Sequence, residues 1–189
     1  MENRSQIMAS SDPVQEFDSL RAQSKFVFAV FYRGHWCPFC IGWLRRLAAL
    51  SPAIVAAGGT PVIVTAESEK FLKDTREASE YDRKAIVDTQ NLLAKELNTR
   101  GLVSVAISEK NGYDHGMAQP ALLVLKEDDT VLESWAIVPS TMNLGGAKDR
   151  PVLDEVWENV EAQLKGKSKV HETYTTTGFF KTVWGKIFG

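Results

Sequence analysis

The first feature of this chain with chemical potential is a pair of cysteines, Cys37 and Cys40, separated by two residues. The pair follows an apolar, aromatic-rich run that ends at Gly34, and it precedes a segment with the apolar spacing of a helix. Cys37 is therefore expected where that helix begins. Unpaired backbone N–H groups and the helix dipole favour a thiolate at such a position. Pro38 suits the first turn, since a missing N–H costs little at that position. Cys40 then lies one turn further in, within reach of a disulfide with Cys37.

This arrangement predicts that Cys37 attacks a substrate as a nucleophile and that Cys40 resolves the product. The chemistry requires the Cys37 sulfur to be ionised, reachable from solvent and close to the Cys40 sulfur. Two other interpretations are a zinc site and two buried cysteines without chemistry. A structural zinc site needs four ligands, whereas the chain has no third cysteine and its three histidines lack paired spacing. The tryptophan before the pair and the proline within it favour a redox pair.

Composition narrows the class of protein. A length of 189 residues, 44% of them hydrophobic and 24% charged, predicts one globular domain with a sizeable core. The net charge of −2 and the lack of a basic cluster argue against nucleic-acid binding. The N-terminus is polar, unlike a signal peptide, and no apolar run reaches the length of a membrane span. With two cysteines only, a disulfide-stapled secreted scaffold is excluded, and we expect a cytoplasmic protein.

The elements that must position the cysteines follow from periodicity. A strand over residues 25–32 is apolar throughout, which is typical of a strand buried on both faces of a sheet. The order β-α-β-α-β-α in the first half predicts a mainly parallel sheet covered on both sides. The predicted segments are a short helix or turn at 13–20, the strand at 25–32, a helix from the cysteines to residue 50 that Gly58 and Gly59 follow, a strand at 60–66, a helix at 70–81, a strand at 84–88, and a helix at 90–98 capped by Asp88 or Thr89.

The second half predicts a hairpin and a closing helix. Residues 102–107 fit either a strand or the packed end of a loop, and residues 119–135 predict a β-hairpin with its turn at 127–130. After a loop at 139–151, apolar spacing predicts a helix over residues 152–165. We therefore divide the chain into a flexible tail (1–12), one α/β domain (13–168) and an amphipathic C-terminal extension (169–189).

The motif Trp36-Cys37-Pro38-Phe39-Cys40 resembles the active site of the thioredoxin superfamily, in its Cys-Pro-aromatic-Cys form typical of glutaredoxins. The longer run 31–50 more closely resembles the peroxiredoxin-like branch of AhpC/TSA antioxidant-type proteins. That branch includes the peroxiredoxin-like 2 proteins and prostamide/prostaglandin F synthase. The resemblance implies a thioredoxin-like α/β fold, with a central mixed sheet flanked by helices and a peroxiredoxin-like α/β insertion after the cysteines.

The resemblance also implies a thiol–disulfide oxidoreductase with an antioxidant role. Cys37 would attack a disulfide or hydroperoxide, Cys40 would resolve the intermediate, and thioredoxin or glutathione would reset the disulfide. No metal and no bound organic cofactor is implied. One alternative is a lipid or endoperoxide reductase like prostamide/prostaglandin F synthase, whose apolar substrate suits the aromatic surroundings of Trp36, Phe39 and Trp43. Another is a redox-sensing thioredoxin-fold module without turnover.

A proline at residue 120 is the second element of the site that the resemblance implies. Local sequence indicates only that Pro120 lies at a strand edge or in a turn, in the ordinary trans form. In thioredoxin-like proteins the matching proline is cis, faces the cysteines, and leaves nearby backbone groups free to pair with a thiol substrate. We therefore place Pro120, with Gln119 before it, beside the cysteines.

The chain departs from both families at several positions. Standard peroxiredoxins carry a proline seven residues before the reactive cysteine, a threonine or serine three before it, and an arginine near the later strand. The corresponding positions here are Val30, Gly34 and the stretch 117–119. The buried acid of thioredoxin corresponds to Phe31. The candidate replacements that tune the thiol are Arg33, His35 and Glu67, because a nearby cation would lower the pKa of Cys37.

Two further segments have no assigned chemistry. The Gly-rich stretch 143–151 lacks the spacing of a phosphate-binding loop, and it is either a connector or a loop that borders the site and helps to hold a substrate. Near the C-terminus, a polar spacer at 173–177 precedes an apolar stripe that must be buried somewhere. Residues 178–189 would dock on the domain itself, contact a homodimer partner, or lie on a membrane surface. The stripe consists of Phe179, Phe180, Val183, Trp184, Ile187 and Phe188.

Overall fold

The computed structural model describes residues 12–176, which form a five-stranded mixed sheet, helices on both of its faces, and a small two-stranded sheet. The elements in chain order are α1 (Pro13–Ala22), β1 (Phe26–Phe31), α2 (Pro38–Ala56), β2 (Gly59–Thr65), a 3₁₀ turn (Glu69–Phe71), α3 (Leu72–Ser79), β3 (Lys84–Val87), α4 (Leu92–Thr99), β4 (Ile107–Ser108), β5 (Met117–Ala118), β6 (Ala121–Lys126), β7 (Val131–Ala136) and α5 (Leu153–Leu164).

The main sheet has the strand order β3-β2-β1-β6-β7. β1 runs parallel to β2, and β2 runs parallel to β3, whereas β6 is antiparallel to both β1 and β7. This confirms the predicted thioredoxin-like architecture with a central mixed sheet. The α/β insertion lies between the cysteines and β6. In it, β3 adds a strand at the edge of the sheet, and α4 packs against one face of the sheet.

The central strand β1 is buried on both faces, as its unbroken apolar sequence predicts. Side chains alternate between the two faces because the side-chain period of a strand is two. Phe26, Phe28 and Val30 enter a core that includes residues of α2 and α5. Val27, Ala29 and Phe31 enter a second core that includes residues of α1 and α4. The strand is thereby fixed from both sides, and the loop that follows it starts from a rigid base.

The helix α2 begins at the cysteine motif, as predicted. Cys37 is its N-cap and Pro38 its first residue. The helix ends at Ala56, just before Gly58 and Gly59, the glycines expected to break it, and Pro52 lies inside it. By length and composition alone α2 would suffice to cross a membrane, although Arg45 and Arg46 interrupt its apolar sequence. Its buried residues pack in the core of this fold instead, and they include Leu44, Leu47 and Ile54.

Several element boundaries differ from the sequence-based predictions. The helix predicted over 70–81 is a 3₁₀ turn followed by the shorter α3, and only the last residue of the segment 102–107 is in a strand, where β4 pairs with β5. The hairpin starts at Ala121, two residues later than predicted, and its turn lies at 127–130 as expected. The helix α4 starts at Leu92, two residues later than predicted, and Asn91 is its N-cap residue. The Asp88 carboxylate nevertheless accepts the backbone N–H groups of Leu92 and Leu93, so it satisfies the helix start as predicted.

The predictions for the chain ends concern residues largely outside the described range. Residues 1–11 and 177–189 are not described, so the N-terminal tail and the C-terminal apolar stripe stay predictions. Asp12, assigned to the tail, caps α1 through its carboxylate, which accepts the N–H of Val14. Thr176, the last described residue, forms an isolated bridge with Pro151.

Truncation of a core residue of α2 is expected to destabilise the domain. Leu47 is fully buried, so Leu47→Ala removes packing contacts and leaves a cavity in the core. The substitution should lower the free energy of unfolding by about 2–5 kcal/mol. Val55 lies on the same helix and is 47% exposed, so Val55→Ala should cost less than about 1 kcal/mol. Urea unfolding of both variants checks this. Equal costs would contradict the assigned inward face of α2.

Candidate functional site

The two cysteines lie at the N-terminus of α2 with their sulfurs 2.6 Å apart. Both are free thiols. The backbone N–H of Cys40 donates to the Cys37 sulfur at 3.3 Å, which is the helix-terminus contact that the sequence predicts for Cys37. Formation of a disulfide between them therefore requires only a small movement. The structure thus agrees with the prediction that the two sulfurs lie within reach of each other.

Arg150 contacts both sulfurs, and the sequence analysis did not identify it. Its Nη2 lies 3.4 Å from the Cys40 sulfur and 3.8 Å from the Cys37 sulfur. The guanidinium also sits 5.6 Å from the centre of the Trp43 ring, and Arg150 is 1% exposed. The next residue is anchored as well, because the Pro151 carbonyl accepts the indole N–H of Trp43 at 3.0 Å. Arg150 therefore brings a buried positive charge to the thiol pair.

The ionisation of the pair depends on its hydrogen bond, on burial and on Arg150. Burial raises the pKa of Cys40, but the hydrogen bond with Cys37, the Arg150 charge and the Arg33 backbone N–H outweigh it and lower that pKa to about 6. The hydrogen bond with Cys40 and burial raise the pKa of Cys37 above its ordinary value. These shifts belong to the hydrogen-bonded pair of thiols, which shares one negative charge beside Arg150. That Cys37 holds the thiolate stays a prediction.

Access to the pair differs from the expectation. Cys37 is 2% exposed and Cys40 is fully buried, so the predicted exposure of Cys37 to solvent is not observed. A loop at residues 138–150 borders the site and ends at Arg150. Inside this loop Asn143 accepts backbone N–H groups of Ser140 and Gly146 through its side-chain oxygen. The Gly-rich stretch is therefore a loop at the site; that it holds a substrate stays a prediction.

Arg33 links the strand β1 to that loop. Its Nε donates to the Gln119 side-chain oxygen at 3.0 Å, and its Nη2 donates to the Gly145 carbonyl. Its backbone N–H points to the Cys40 sulfur at 3.4 Å. Burial lowers the pKa of Arg33, and negative charge on Cys37 or Cys40 opposes that effect. The structure thus brings the Arg33 backbone to the Cys40 sulfur and joins the Gln119 side chain to Arg33. That either side chain acts on the thiols stays a prediction.

His35 and Glu67 form a second polar group in front of the motif. The buried Glu67 carboxylate accepts the backbone N–H of His35 at 2.8 Å and contacts its ring Nδ1 at 2.7 Å. The His35 ring stacks on Phe71 with centroids 4.4 Å apart. Within residues 12–176 neither His35 nor Glu67 hydrogen-bonds to a sulfur, so the predicted pair shapes the loop before Cys37 and is not in contact with the thiols.

Tyr113 completes this group, and no sequence signal indicated it. Its hydroxyl donates to the Arg33 carbonyl at 2.7 Å and accepts the Trp36 indole N–H at 3.0 Å. A Cβ on Gly34 would lie 2.6 Å from the Tyr113 hydroxyl and 2.6 Å from a Glu67 oxygen. A threonine or serine at residue 34 therefore cannot fit without displacing these groups. The departure from the peroxiredoxin pattern at residue 34 thus has a steric cause.

The remaining predicted residues have mixed outcomes. Trp36 is 40% exposed, Pro38 is exposed in the first turn of α2, and Phe39 packs against the core. The expectation of a cis bond before Pro120 is wrong, because residues 12–176 contain no cis peptide bond. Backbone groups at this point are already paired: the Gln119 N–H donates to Ala106, and the Pro120 carbonyl accepts from Ile137. The free backbone edge that the resemblance implied is therefore absent at these two groups.

Comparison with protein families matches residues 9–134 to the AhpC/TSA family. The matched segment contains both cysteines, Arg33, Glu67 and Gln119, and it ends before Arg150. No curated protein matches the sequence.

Solved structures show similarity in fold at low sequence identity. A cysteine-to-serine mutant of peroxiredoxin 6 from Arenicola marina has a TM-score of 0.62 and 15% identity, over 84% of this chain and 71% of that one. Peroxidoxin BcpB from Mycobacterium tuberculosis has a TM-score of 0.57 and 13% identity, over 79% and 84% of the two chains. Reduced 2-Cys peroxiredoxin from Plasmodium vivax has a TM-score of 0.56 and 16% identity, over 75% and 78%.

The low pKa of Cys40 predicts a pH-dependent stability of the reduced protein. Between about pH 6 and pH 8.5 the unfolded chain keeps both thiols protonated while the folded chain loses one proton, so stability should rise with pH in this window. It should be lost as the pH falls through 6, because the folded thiolate is then protonated. Urea unfolding of reduced protein at pH 6 and pH 8 measures this.

The variant Arg150→Met removes the positive charge that stabilises the thiolate. The pKa of Cys40, followed by ultraviolet thiolate absorbance, should rise in this variant, and the gain in stability with pH should become smaller. Arg46→Met is the control, because Arg46 pairs with Asp154 on the surface. An unchanged thiol titration in Arg150→Met would contradict the assigned role of Arg150.

Proposed function

The chain belongs to the AhpC/TSA family, and on that premise we propose that it reduces hydroperoxides with Cys37 as nucleophile and Cys40 as resolving cysteine. Membership of the family makes the chain a thioredoxin-like oxidoreductase of the peroxidase type. The observation that supports the proposal is the contact of two sulfurs, 2.6 Å apart, with the buried guanidinium of Arg150. Such a contact supplies a reactive thiolate and a partner thiol in one place.

The first step activates Cys37. At rest the hydrogen-bonded pair shares one proton and one negative charge. A proton shift across the 2.6 Å between the sulfurs moves the charge to Cys37, where the Cys40 N–H and Arg150 stabilise it. Cys37 is the N-cap of α2, whereas Cys40 lies one turn further into the helix. This position favours Cys37 as the attacking group.

The chemical steps then balance within the pair. The Cys37 thiolate attacks the terminal oxygen of the hydroperoxide; a sulfur–oxygen bond forms, the oxygen–oxygen bond breaks, and the leaving alkoxide takes the proton of the Cys40 thiol. The resulting Cys40 thiolate attacks the Cys37 sulfenic acid; the disulfide forms and hydroxide leaves, which solvent protonates to water. One hydroperoxide is reduced to an alcohol, and two thiols are oxidised to a disulfide.

An external thiol resets the disulfide in this proposal. Thioredoxin or glutathione would supply two electrons per cycle, and no bound metal or organic cofactor takes part. The proposal therefore places the protein in a reducing compartment such as the cytoplasm, where such donors are available.

A second candidate keeps the same chemistry with an apolar hydroperoxide, as in the lipid or endoperoxide reductases. The observation in its favour is the loop at 138–150, which exposes apolar side chains next to the site. Val138 is 80% exposed, Met142 82% and Leu144 56%. A larger organic substrate would contact these apolar side chains, whereas hydrogen peroxide has no apolar part that could bind to them.

Turnover with a recycled reductant tests the proposal. The protein, supplied with thioredoxin/NADPH or glutathione/NADPH recycling, should consume NADPH continuously with hydrogen peroxide or cumene hydroperoxide, and a higher rate with cumene hydroperoxide would favour the second candidate. Cys37→Ser should reduce the rate to background, because the nucleophile is gone. Oxidation once without turnover would indicate a redox sensor instead. Turnover by Cys37→Ser would refute Cys37 as the nucleophile.

Mass spectrometry shows which of the two cysteines reacts with the peroxide. After one equivalent of peroxide, Cys40→Ser should carry a sulfenic acid on Cys37, whereas Cys37→Ser should stay reduced on Cys40 over the same time. The reverse pattern would show that Cys40 is the attacking cysteine.

A further inference from the structure

Residues 169–176, which we name the C-terminal strap, follow α5 and return along it. The strap ends beside the residues that precede this helix. The Val152 N–H donates to the Thr175 carbonyl at 3.0 Å, and Thr176 forms an isolated bridge with Pro151. Because Pro151 and Val152 come before the first residue of α5, the strap extends along the whole helix.

Asn159 holds the middle of the strap to α5. Its side-chain oxygen accepts the backbone N–H groups of Val170 and His171, each at 2.8 Å. Its Nδ2 donates to the His171 carbonyl at 2.8 Å and to the Tyr174 hydroxyl at 3.0 Å. Asparagine is a poor helix former, and a buried amide is stable only when it is hydrogen-bonded. The fully buried Asn159 is therefore a clamp between the helix and the strap.

Two further contacts secure the ends of the strap. The Lys169 Nζ lies 2.9 Å from the carboxylate of Glu133, a buried residue of β7. The Glu155 carboxylate, in the first turn of α5, accepts the Thr175 N–H at 2.6 Å. Hydrogen bonds to charged groups are stronger than those between neutral groups. The strap is thus fixed at its start, at its middle and at its end.

The end of the strap lies next to the residue that contacts the thiols. Pro151, the bridge partner of Thr176, directly follows Arg150 in the chain. The Arg150 Nη2 lies 3.4 Å from the Cys40 sulfur and 3.8 Å from the Cys37 sulfur. The attraction between a cation and a thiolate weakens as their distance grows. A shift of the backbone at Pro151 would therefore change the positive charge that the two sulfurs experience.

We propose that the C-terminal strap, clamped by Asn159, is a positioning element that holds the Arg150 guanidinium against the two sulfurs. Release of the strap from α5 would withdraw this charge from the thiols, although neither cysteine changes. Asn159 is thus a positioning residue that acts through Arg150. Both residues and the strap lie beyond residues 9–134, the segment that matches the AhpC/TSA family. The effect of the strap on peroxide reduction rests on the proposed function.

Titration of the thiol pair in full-length variants tests this assignment. Asn159→Leu is close in volume and removes all four hydrogen bonds from Asn159 to the strap. The pKa of the thiol pair, followed by ultraviolet thiolate absorbance, should rise by about one pH unit, because Arg150 is held less firmly beside the sulfurs. Thr175→Pro, at an exposed position, removes the N–H that Glu155 accepts and should raise this pKa as well. Lys165→Leu, at the end of α5 remote from Arg150, is the control and should leave the titration unchanged.

A double-mutant cycle separates the positioning of Arg150 from a general loosening of the fold. In the Arg150→Met background, Asn159→Leu should cause no further rise in the pKa of the thiol pair, because no guanidinium is left to position. If Asn159→Leu does not fold, Thr175→Pro in both backgrounds provides the same cycle. An equal rise with and without Arg150, or an unchanged titration in both strap variants, would overturn the assignment.

The titration needs no peroxide, so this assignment and the proposed function can fail separately. Wild-type protein whose thiol pKa depends on the strap, but which does not turn over hydroperoxide, would refute the peroxidase proposal alone. Wild-type protein that reduces hydroperoxide, together with strap variants that titrate like the wild type, would refute the positioning role alone.

Discussion

A single negative charge shared by two buried sulfurs, and balanced by Arg150, is the interaction on which the site depends. In a low-dielectric interior an uncompensated charge costs several kcal/mol, so a thiolate persists there only beside a cation or strong donors. Arg150 meets this need from a position fixed on two sides, by the Trp43 ring and by the anchored carbonyl of Pro151. The ionisation of the thiols is therefore a property of how the loop at 138–150 packs, as much as of the cysteines.

The same packing sets a conflict between reactivity and access. Burial strengthens the attraction between Arg150 and the thiolate, because electrostatic interactions grow as water is excluded. It also leaves Cys37 2% exposed, so a substrate larger than hydrogen peroxide requires the loop to yield. The loop has internal order from Asn143 and a tie to the sheet through Arg33 and Gly145.

The departures from the peroxiredoxin pattern share one physical explanation. The polar groups that the pattern places next to the reactive cysteine are supplied here from other elements. Glu67 and the Tyr113 hydroxyl fill the space that a side chain at residue 34 would need. Arg150 brings the cation from the loop before α5, whereas residues 117–119 bring Gln119. A site can thus keep similar charges and donors while the residues that carry them change position in the chain.

The sequence by itself determined the features that depend on near neighbours. The apolar run of β1, the helix start at Cys37 and Pro38, and the Asp88 cap of α4 follow from periodicity and capping within a few residues, and each is present in the structure. Boundaries were less certain where a weak pattern met a tertiary contact, as in the segment before β4. Local sequence preferences determine these secondary-structure elements, because the contacts that stabilise them join residues within one turn or one pair of strands.

Only the tertiary structure decided which distant groups meet at the thiols. Arg150 lies 110 positions from Cys40, and Tyr113 lies 80 from Arg33, so no spacing in the sequence connects them. The burial of Cys37 and the lowered pKa of Cys40 likewise depend on how a loop packs against the thiols. Packing between remote segments depends on the shape of the whole core. A local pattern of residues therefore does not predict which distant segments come into contact.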